Sequence, residues 1–215
     1  MKPLQMPMFS PETEWIPPTH LPDLKDHKEI AIDLETRDPG LKSSGSGSVN
    51  GNGEVVGIAV AVEGWSGYFP IAHEGGGNMD RALVLDWFEE VLHTDATKIF
   101  HNAMYDVSWI RSMGFYIRGG VIDTLIAASL IDENRWGYAL NALGKQYVGV
   151  GKNEKILNDA AKSWGIDPKA DMWRLPAPLV GEYAEQDAVL TLRLWHALQR
   201  EISSQDLWDV FNLET

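Results

Sequence analysis

The segment YAEQDAVLTLRLW, residues 183–195, constrains the fold most, because a helical period places an acid in the middle of an apolar face. At about 100° per residue, Leu190 and Leu194 lie on the same side of such a helix as Asp187. Tyr183, one turn earlier, lies on that side as well, whereas charged and polar residues occupy the opposite side. A buried carboxylate without a partner is costly. The sequence therefore predicts that Asp187 meets a cation or a hydrogen-bond donor.

Three further acids stand at inward-facing positions in two other segments. In EIAIDLET, residues 29–36, a strand period of two puts Asp33 and Glu35 on one face, roughly 7 Å apart. In HNAMYDVSWIRSM, residues 101–113, a helix places Asp106 on the apolar side. Each acid alone has an ordinary explanation, as a solvated edge, a helix-dipole contact or a hydrogen-bonded core group. Together they indicate a site for divalent cations, because like charges that converge in a core repel one another.

Composition narrows the classes of function. A net charge of −13 argues against a nucleic-acid partner unless the acids are gathered to hold cations, and both interpretations stay open at this point. The absence of cysteine excludes disulfides and thiolate zinc sites and fits a reducing cytoplasm. No apolar run approaches the roughly 20 residues of a membrane helix, so no membrane association is expected.

The predicted elements are strands followed by helices, which indicates an α/β domain with a mixed sheet and a helical second half. Strands are predicted in EIAIDLET, EVVGIAVAV, GYFPIA and KIF. Helices are predicted in MDRALVLDWFEEVLH, NAMYDVSWIRSM, VIDTLIAASLIDEN, YALNALGKQYVG, EKILNDAAKSWG and the Asp187 segment. The proline-rich residues 1–28 are predicted to form an extended arm draped over a surface. Residues 42–53, KSSGSGSVNGNG, are predicted to form a flexible loop.

The motifs AIDLET, HNAMYD and YAEQD resemble those of the DEDDy 3′→5′ exonuclease domain of family A DNA polymerases, particularly phage versions. The resemblance covers about residues 29–201 and implies a ribonuclease H-like α/β fold, a five-stranded mixed sheet flanked by helices. It divides the chain into the arm of residues 1–28, the exonuclease domain of residues 29–201, and residues 202–215. That last segment would begin the connection to a polymerase domain absent from this chain.

The resemblance also implies roles for individual residues. Asp33, Glu35 and Asp187 would hold the metal that carries the attacking water. Asp33 and Asp106 would hold a second metal beside the leaving 3′ oxygen. Both cations would be Mg²⁺ or Mn²⁺. Tyr183 would orient the attacking water.

Five more positions would contact the single-stranded or frayed 3′ end of DNA. They are Leu34, Thr36, Asn102, Tyr105 and Arg135. A helix-capping role for Asn102 and a surface role for Arg135 are the structural alternatives. The family's hydrophobic wedge at the terminal base has no assigned residue here, since Pro39 stands at the usual spacing and Leu41 follows two residues later.

The implied function is a two-metal-ion 3′→5′ exonuclease that releases 5′-mononucleotides, the proofreading part of a family A DNA polymerase. Its partners would be DNA and a polymerase domain in the same parent chain, with a monomer in the cytoplasm of a bacterial host if the gene is phage-encoded. The alternative enzyme is a ribonuclease D-like 3′ exoribonuclease, which shares the acids and the tyrosine. A catalytically silent strand-binding module is a further alternative, and the intact acidic motifs argue against it.

Overall fold

A computed structural model describes residues 11–214, and within that range five strands form one mixed sheet. The strands are β1 (Glu29–Arg37), β2 (Glu54–Val62), β3 (Trp65–Pro70), β4 (Thr97–Phe100) and β5 (Val121–Asp123). Their order across the sheet is β3-β2-β1-β4-β5. Strand β2 pairs antiparallel with β1 and β3, whereas β4 pairs parallel with β1 and β5. The predicted five-stranded mixed sheet is therefore confirmed.

Helices cover the sheet on both faces. They are α1 (Leu41–Ser44), α2 (Gly47–Asn50), α3 (Arg81–Leu92), α4 (Ala103–Ser112), α5 (Thr124–Ile131), α6 (Leu140–Leu143), α7 (Lys155–Trp164), α8 (Pro178–Ser204) and α9 (Trp208–Glu214). The 27-residue α8 contacts β1, β2 and β3 and is the predicted helix around Asp187. Of the helices in the described range, none is both long enough and apolar enough to cross a membrane.

Alternation along β1 separates two hydrophobic layers. Ile30, Ile32 and Leu34 pack in the layer that includes α3 and α4. Ala31 packs on the other face, in the layer that includes α8. Because side chains alternate with a period of two, Asp33 and Glu35 share the face of Ala31 and point toward α8.

Residues 11–28 contain neither helix nor strand and lie against the folded body. The indole N–H of Trp15 donates a hydrogen bond to Glu185 of α8 over 3.0 Å. Its ring packs on Gly181, where a Cβ atom would lie only 2.2 Å from the indole. A glycine within a helix costs about 1 kcal/mol relative to alanine, so this close approach explains its presence in α8. Residues 1–10 of the predicted arm lie outside the described residues.

The prediction of a flexible loop at residues 42–53 is wrong in part, because α1 and α2 occupy most of this segment. The side chain of Ser46 caps α2 by accepting a hydrogen bond from the Ser48 N–H. The Ser48 hydroxyl in turn lies 2.8 Å from the hydroxyl of Ser108 on α4. A serine- and glycine-rich composition indicates turn residues, but it does not reveal that they hydrogen-bond to a distant helix.

The segment VIDTLIAASLIDEN, predicted as one helix, contains a strand as well. Val121–Asp123 pairs with β4, and the helix starts only at Thr124. The carboxylate of Asp123 caps this helix by accepting the Leu125 N–H over 2.8 Å. Such a short strand is defined by its pairing with β4, which periodicity within the segment does not encode.

The helix predicted in YALNALGKQYVG begins at Leu140 and widens into a π-helical turn at Gly144–Val148. At Gly144 a Cβ atom would lie 2.8 Å from the methyl groups of Leu190 on α8. The close packing of this turn on α8 is a tertiary contact, so the local sequence predicts a helix but not its wider turn. Such π-turns are frequent beside functional sites.

Candidate active site

Three carboxylates from β1 and α8 converge where these elements cross. One oxygen from each of Asp33, Glu35 and Asp187 lies within 4.8 Å of the other two. Glu35 and Asp187 are 7% and 4% exposed, whereas Asp33 is partly exposed. The β1–β2 register shifts directly after Glu35, and such irregularities often re-aim side chains next to active sites. The predicted convergence of these acids is therefore present.

Asp106 joins the group from α4. Its carboxylate accepts the backbone N–H of Leu34 over 3.0 Å, which places it beside β1 and next to Asp33. The N-terminus of α4 is held by Asp123, whose two oxygens accept the N–H groups of Asn102 and Ala103 over 2.9 and 2.8 Å. Asp123 was not predicted as a contributor to the site. The sequence signal for Asp123 is its position directly before α5, where an aspartate favours a helix N-cap.

The acids raise one another's proton affinity. Burial, together with the charge of Asp187, raises the pKa of Asp33 to about 7. Burial and the charge of Asp33 raise the pKa of Glu35 and that of Asp106 well above the ordinary carboxyl range. Burial also raises the pKa of Asp187, although Lys152 opposes the change. At neutral pH this group must therefore bind protons or another cation.

Lys152 is a second residue of the site that sequence reasoning misses. Its ammonium lies 2.5 Å from Oδ2 of Asp187 and 3.3 Å from the hydroxyl of Tyr183. The side chain is only 12% exposed. The available signal was a single lysine within the glycine-rich turn GVGKN, which has no fixed spacing from the acidic motifs. The helical pattern predicts a partner for the buried Asp187, and in this structure that partner is the Lys152 ammonium group.

Tyr183 lies one turn before Asp187 on α8 and is 9% exposed. Burial and the charge of Asp187 raise the pKa of its phenol above the ordinary value. The hydroxyl therefore stays protonated at neutral pH. It can donate a hydrogen bond and orient a neighbouring water, but it is a poor general base.

The donor set fits a hard divalent cation. All the converging ligand atoms are carboxylate oxygens, which Mg²⁺ and Mn²⁺ prefer. Oδ1 of Asp187 is buried and has no hydrogen-bond partner among the described residues. Leaving a buried charged oxygen unpaired is costly, and a cation between the acids would satisfy it.

An open cleft of about 420 Å³ leads to the acids, within the size range of small-ligand clefts. It is lined by Asp33, His101, Asn102, Leu125, Tyr138, Ala139, Leu140, Lys152 and Asp187. Asn102 precedes α4 in the left-handed region at φ 67°, and its side chain makes no capping hydrogen bond. The capping alternative for this residue is therefore wrong, and its side chain remains available to the cleft.

The other predicted substrate contacts fall into two groups. The hydroxyl of Thr36 lies 2.7 Å from that of Tyr105, so these two residues form one unit beside β1. Leu34 is buried and contributes its N–H to Asp106. Arg135 lies in the loop between α5 and α6. It donates hydrogen bonds to the side chain of Gln146 and to the carbonyl of Gly137.

Solved nuclease structures share this fold. NrnC of Brucella melitensis with bound Mg²⁺ matches with a TM-score of 0.60 at 20% identity, over 89% of this chain and 82% of that one. RNase D of Escherichia coli matches with a TM-score of 0.58 at 14% identity, over 88% of this chain and 44% of that one. At these identities the likeness concerns the fold alone. The sheet order and these matches define a ribonuclease H-like fold.

Sequence comparison gives the family. The 3′-5′ exonuclease family matches residues 18–203. A DNA-directed DNA polymerase of Pseudomonas phage M6 is 39% identical over 99% of this chain and 33% of its own length. DNA polymerase DpoZ of Salmonella phage PMBT28 is 30% identical over 90% of this chain and 30% of its own length. The chain belongs to the 3′→5′ exonuclease domain family of family A DNA polymerases, which confirms the resemblance carried by its motifs. It spans about a third of the length of these two relatives.

Proposed function

We propose that this chain hydrolyses DNA from the 3′ end with two divalent cations, releases 5′-mononucleotides, and proofreads for a longer DNA polymerase. The observation that carries the proposal is the convergence of Asp33, Glu35 and Asp187 oxygens within 4.8 Å, with one buried Asp187 oxygen that no residue in the range 11–214 hydrogen-bonds. An acidic cluster of this kind needs no side-chain nucleophile, because cations supply the activation of water and the stabilisation of the leaving oxygen.

The position of each residue in the site indicates whether it would bind a cation or orient the attacking water. Asp33 clusters with Glu35 and Asp187, and its charge also raises the pKa of Asp106, so it is the ligand that two cations would share. Tyr183, with its protonated hydroxyl, would orient the attacking water from the α8 side. These roles are proposals, and they require the acids to be ionised when the cations are bound.

Substrate would enter along the open cleft. Asn102 lines the cleft, and the Thr36–Tyr105 pair flanks the acids on the β1 side. Arg135, in the loop before the cleft, would meet the phosphate backbone of the single strand. Because the chain carries a net charge of −13, its binding to DNA should be weak and should fall steeply with salt.

The parent protein would be a family A DNA polymerase. This part of the proposal rests on the names and lengths of the phage relatives, of which the chain spans about a third. A polymerase domain in the same chain would carry much of the DNA-holding surface. The exonuclease part would be a monomer that acts in the cytoplasm of a bacterial host.

The test is cleavage of a 5′-labelled single-stranded oligodeoxynucleotide by the purified chain with Mg²⁺ or Mn²⁺. We expect a ladder of products shortened one nucleotide at a time from the 3′ end, and no products in EDTA. A 3′-phosphate should block the reaction, because it adds charge where a hydroxyl must fit. Cutting of a closed circular single strand would contradict an exonuclease.

Two parallel measurements separate the alternatives. An RNA oligonucleotide of the same sequence, if degraded much faster than DNA, would favour the ribonuclease D-like exoribonuclease. A thermal melt with saturating Mg²⁺ should show stabilisation, by about 2.7 kcal/mol at a hundredfold excess over Kd. A chain that binds the metal and the strand but cleaves neither nucleic acid would be the silent module.

A further inference from the structure

The loop that carries Lys152 is held from both sides. The Lys152 N–H donates to the side chain of Asn141 on α6 over 3.0 Å. The next residue, Asn153, donates its N–H to the side chain of Gln186 on α8 over 2.8 Å. Two backbone anchors on separate helices fix the direction in which the lysine leaves the chain.

Glycine at position 151 permits the same placement. A Cβ atom on Gly151 would lie 2.8 Å from the Asn141 side-chain oxygen and 2.6 Å from Lys145. A side chain there would have to displace the side chain of Asn141, which is the acceptor for the Lys152 N–H, as well as that of Lys145. The π-helical turn before this loop also packs its backbone against α8. The segment is therefore built to present one ammonium group at a fixed place.

The ammonium group of Lys152 is held next to an Asp187 oxygen that would bind a metal ion. The Lys152 ammonium lies 2.5 Å from Oδ2 of Asp187, and the buried Oδ1 of the same carboxylate has no hydrogen-bond partner within the described part of the chain. It also lies 5.1 Å from the centre of the Tyr183 ring, within the range of a cation–π contact. A monovalent cation thus occupies part of the coordination space that a divalent cation at these acids would need.

We propose that Lys152 is a tethered counter-ion of this metal centre. It pairs with Asp187 while no divalent cation is bound, and keeps Asp187 and Tyr183 in position. It gives up the Asp187 oxygen when a cation binds. Its cost is weaker metal binding, because each cation must displace the ammonium, and its benefit is a folded, ordered site without metal. The inference rests on the proposed function, specifically on divalent-cation binding by these acids.

The experiment measures Mn²⁺ binding by calorimetry and thermal melting of the metal-free protein, without DNA. Lys152→Met should bind Mn²⁺ about tenfold more tightly than the parent chain, since no ammonium competes for Asp187. Its metal-free melting temperature should be lower, because the acids lose their counter-ion. The rise in melting temperature on adding Mn²⁺ should accordingly be larger than for the parent.

Three control variants complete the design. Lys152→Arg keeps a cation and should restore parent-like Mn²⁺ affinity. Lys155→Met removes an exposed lysine on the neighbouring α7 and should match the parent in both measurements. Lys152→Gln, a polar replacement, serves as the test variant if Lys152→Met does not fold without metal.

The outcomes separate the two proposals. Parent-like or weaker Mn²⁺ binding by Lys152→Met and Lys152→Gln, beside normal binding by the parent, overturns the counter-ion role alone. No Mn²⁺ binding by the parent overturns both this inference and the proposed function. Tighter binding in the lysine variants with a lower metal-free melting temperature supports the inference.

Discussion

Strand β1 and helix α8 contact each other at two places, and the surroundings of the carboxylate on β1 differ between them. At the start of β1, Glu29 accepts hydrogen bonds from three α8 side chains, namely Trp195 (3.0 Å), His196 (2.7 Å) and Gln199 (3.2 Å). Burial alone would raise the pKa of Glu29, but the bonds from His196 and Trp195 hold it below the usual value. The helix supplies donors to this acid.

Four residues further along the same face of β1, α8 presents another acid. Asp33 meets Asp187, and burial with that charge raises the pKa of Asp33 to about 7. At one end, the carboxylate of Glu29 on β1 is therefore hydrogen-bonded by α8. At the other end, the carboxylates of Asp33 and Asp187 repel each other. The first contact stabilises the fold, whereas the second indicates a functional site, because buried acids without enough donors persist only where something else binds them.

Asp33→Ala is expected to have the largest effect at these two sites. We expect the cleavage rate to fall at least about 10⁴-fold, roughly 5.5 kcal/mol, because both cations would lose a shared ligand. The free energy of unfolding without metal should stay unchanged or rise, since one repelling charge is gone. Single-turnover cleavage and urea unfolding measure the two quantities. Retained cleavage would break the comparison.

Tyr183→Phe comes next in size. The ring and its packing remain and only the hydroxyl is lost, so the rate should fall about 10²-fold, roughly 2.7 kcal/mol of transition-state stabilisation. Strand binding should stay near that of the parent. The measurement is the single-turnover rate on the same oligonucleotide used for Asp33→Ala. Cleavage at the parent rate would make the tyrosine a packing residue.

Glu29→Ala tests the contact at which α8 hydrogen-bonds the carboxylate on β1. It leaves the partly buried N–H of Trp195 without its acceptor, so we expect a loss of about 1–2 kcal/mol in the free energy of unfolding. The cleavage rate of the folded protein should not change. The pair Glu29→Ala and Asp33→Ala is matched, since both remove a carboxylate from one face of one strand. Equal effects of the two on stability would contradict the distinction drawn between them.

The last effect, comparable in size to that of Glu29→Ala, is on the pH dependence of metal-free stability. The pKa of Asp33 is about 7 in the folded chain and 3.8 in its ordinary state, so the folded chain binds more protons between these values. The contribution of Asp33 to stability should therefore fall as the pH rises from about 4 to 7, by more than about 1.4 kcal/mol, the equivalent of one pKa unit. Saturating Mg²⁺ should flatten this slope, and Asp33→Asn should reduce it. Urea unfolding across this range is the measurement. Burial lowers the pKa of His73 from 6.5 to about 4, which makes stability rise over the same range, so the Asp33 contribution is read as the difference between the parent and Asp33→Asn. Equal slopes for these two proteins would contradict a raised pKa at Asp33.

The effects at Glu29 and Asp33 have opposite signs with pH. The pKa of Glu29 is lowered in the folded chain, so its contribution to stability is present above its ordinary value of 4.5 and is lost as the pH falls through the folded value. That window lies below most of the window of Asp33. The difference in slope between the parent and Asp33→Asn from pH 4 to 7 therefore reports on the acidic cluster.

Local pattern by itself determined a large part of this protein. A strand period puts Asp33 and Glu35 on one face, and a helical period puts Tyr183 and Asp187 on one stripe, because side-chain direction follows backbone geometry over a few residues. The motifs that contain them were enough to indicate the family. The alternation of strands and helices was enough to indicate a mixed sheet with a helical second half.

Tertiary structure decided the rest, since it depends on contacts between segments far apart in the chain. The Asp106 carboxylate is fixed by the N–H of Leu34, 72 residues away. Lys152 reaches Asp187, 35 residues away, only because two helices anchor its loop. Neither distance is encoded in a local period. The sequence alone thus placed acids on the correct faces, whereas the packing of α4, α6 and α8 on β1 decided which of them meet and which cation stands between them.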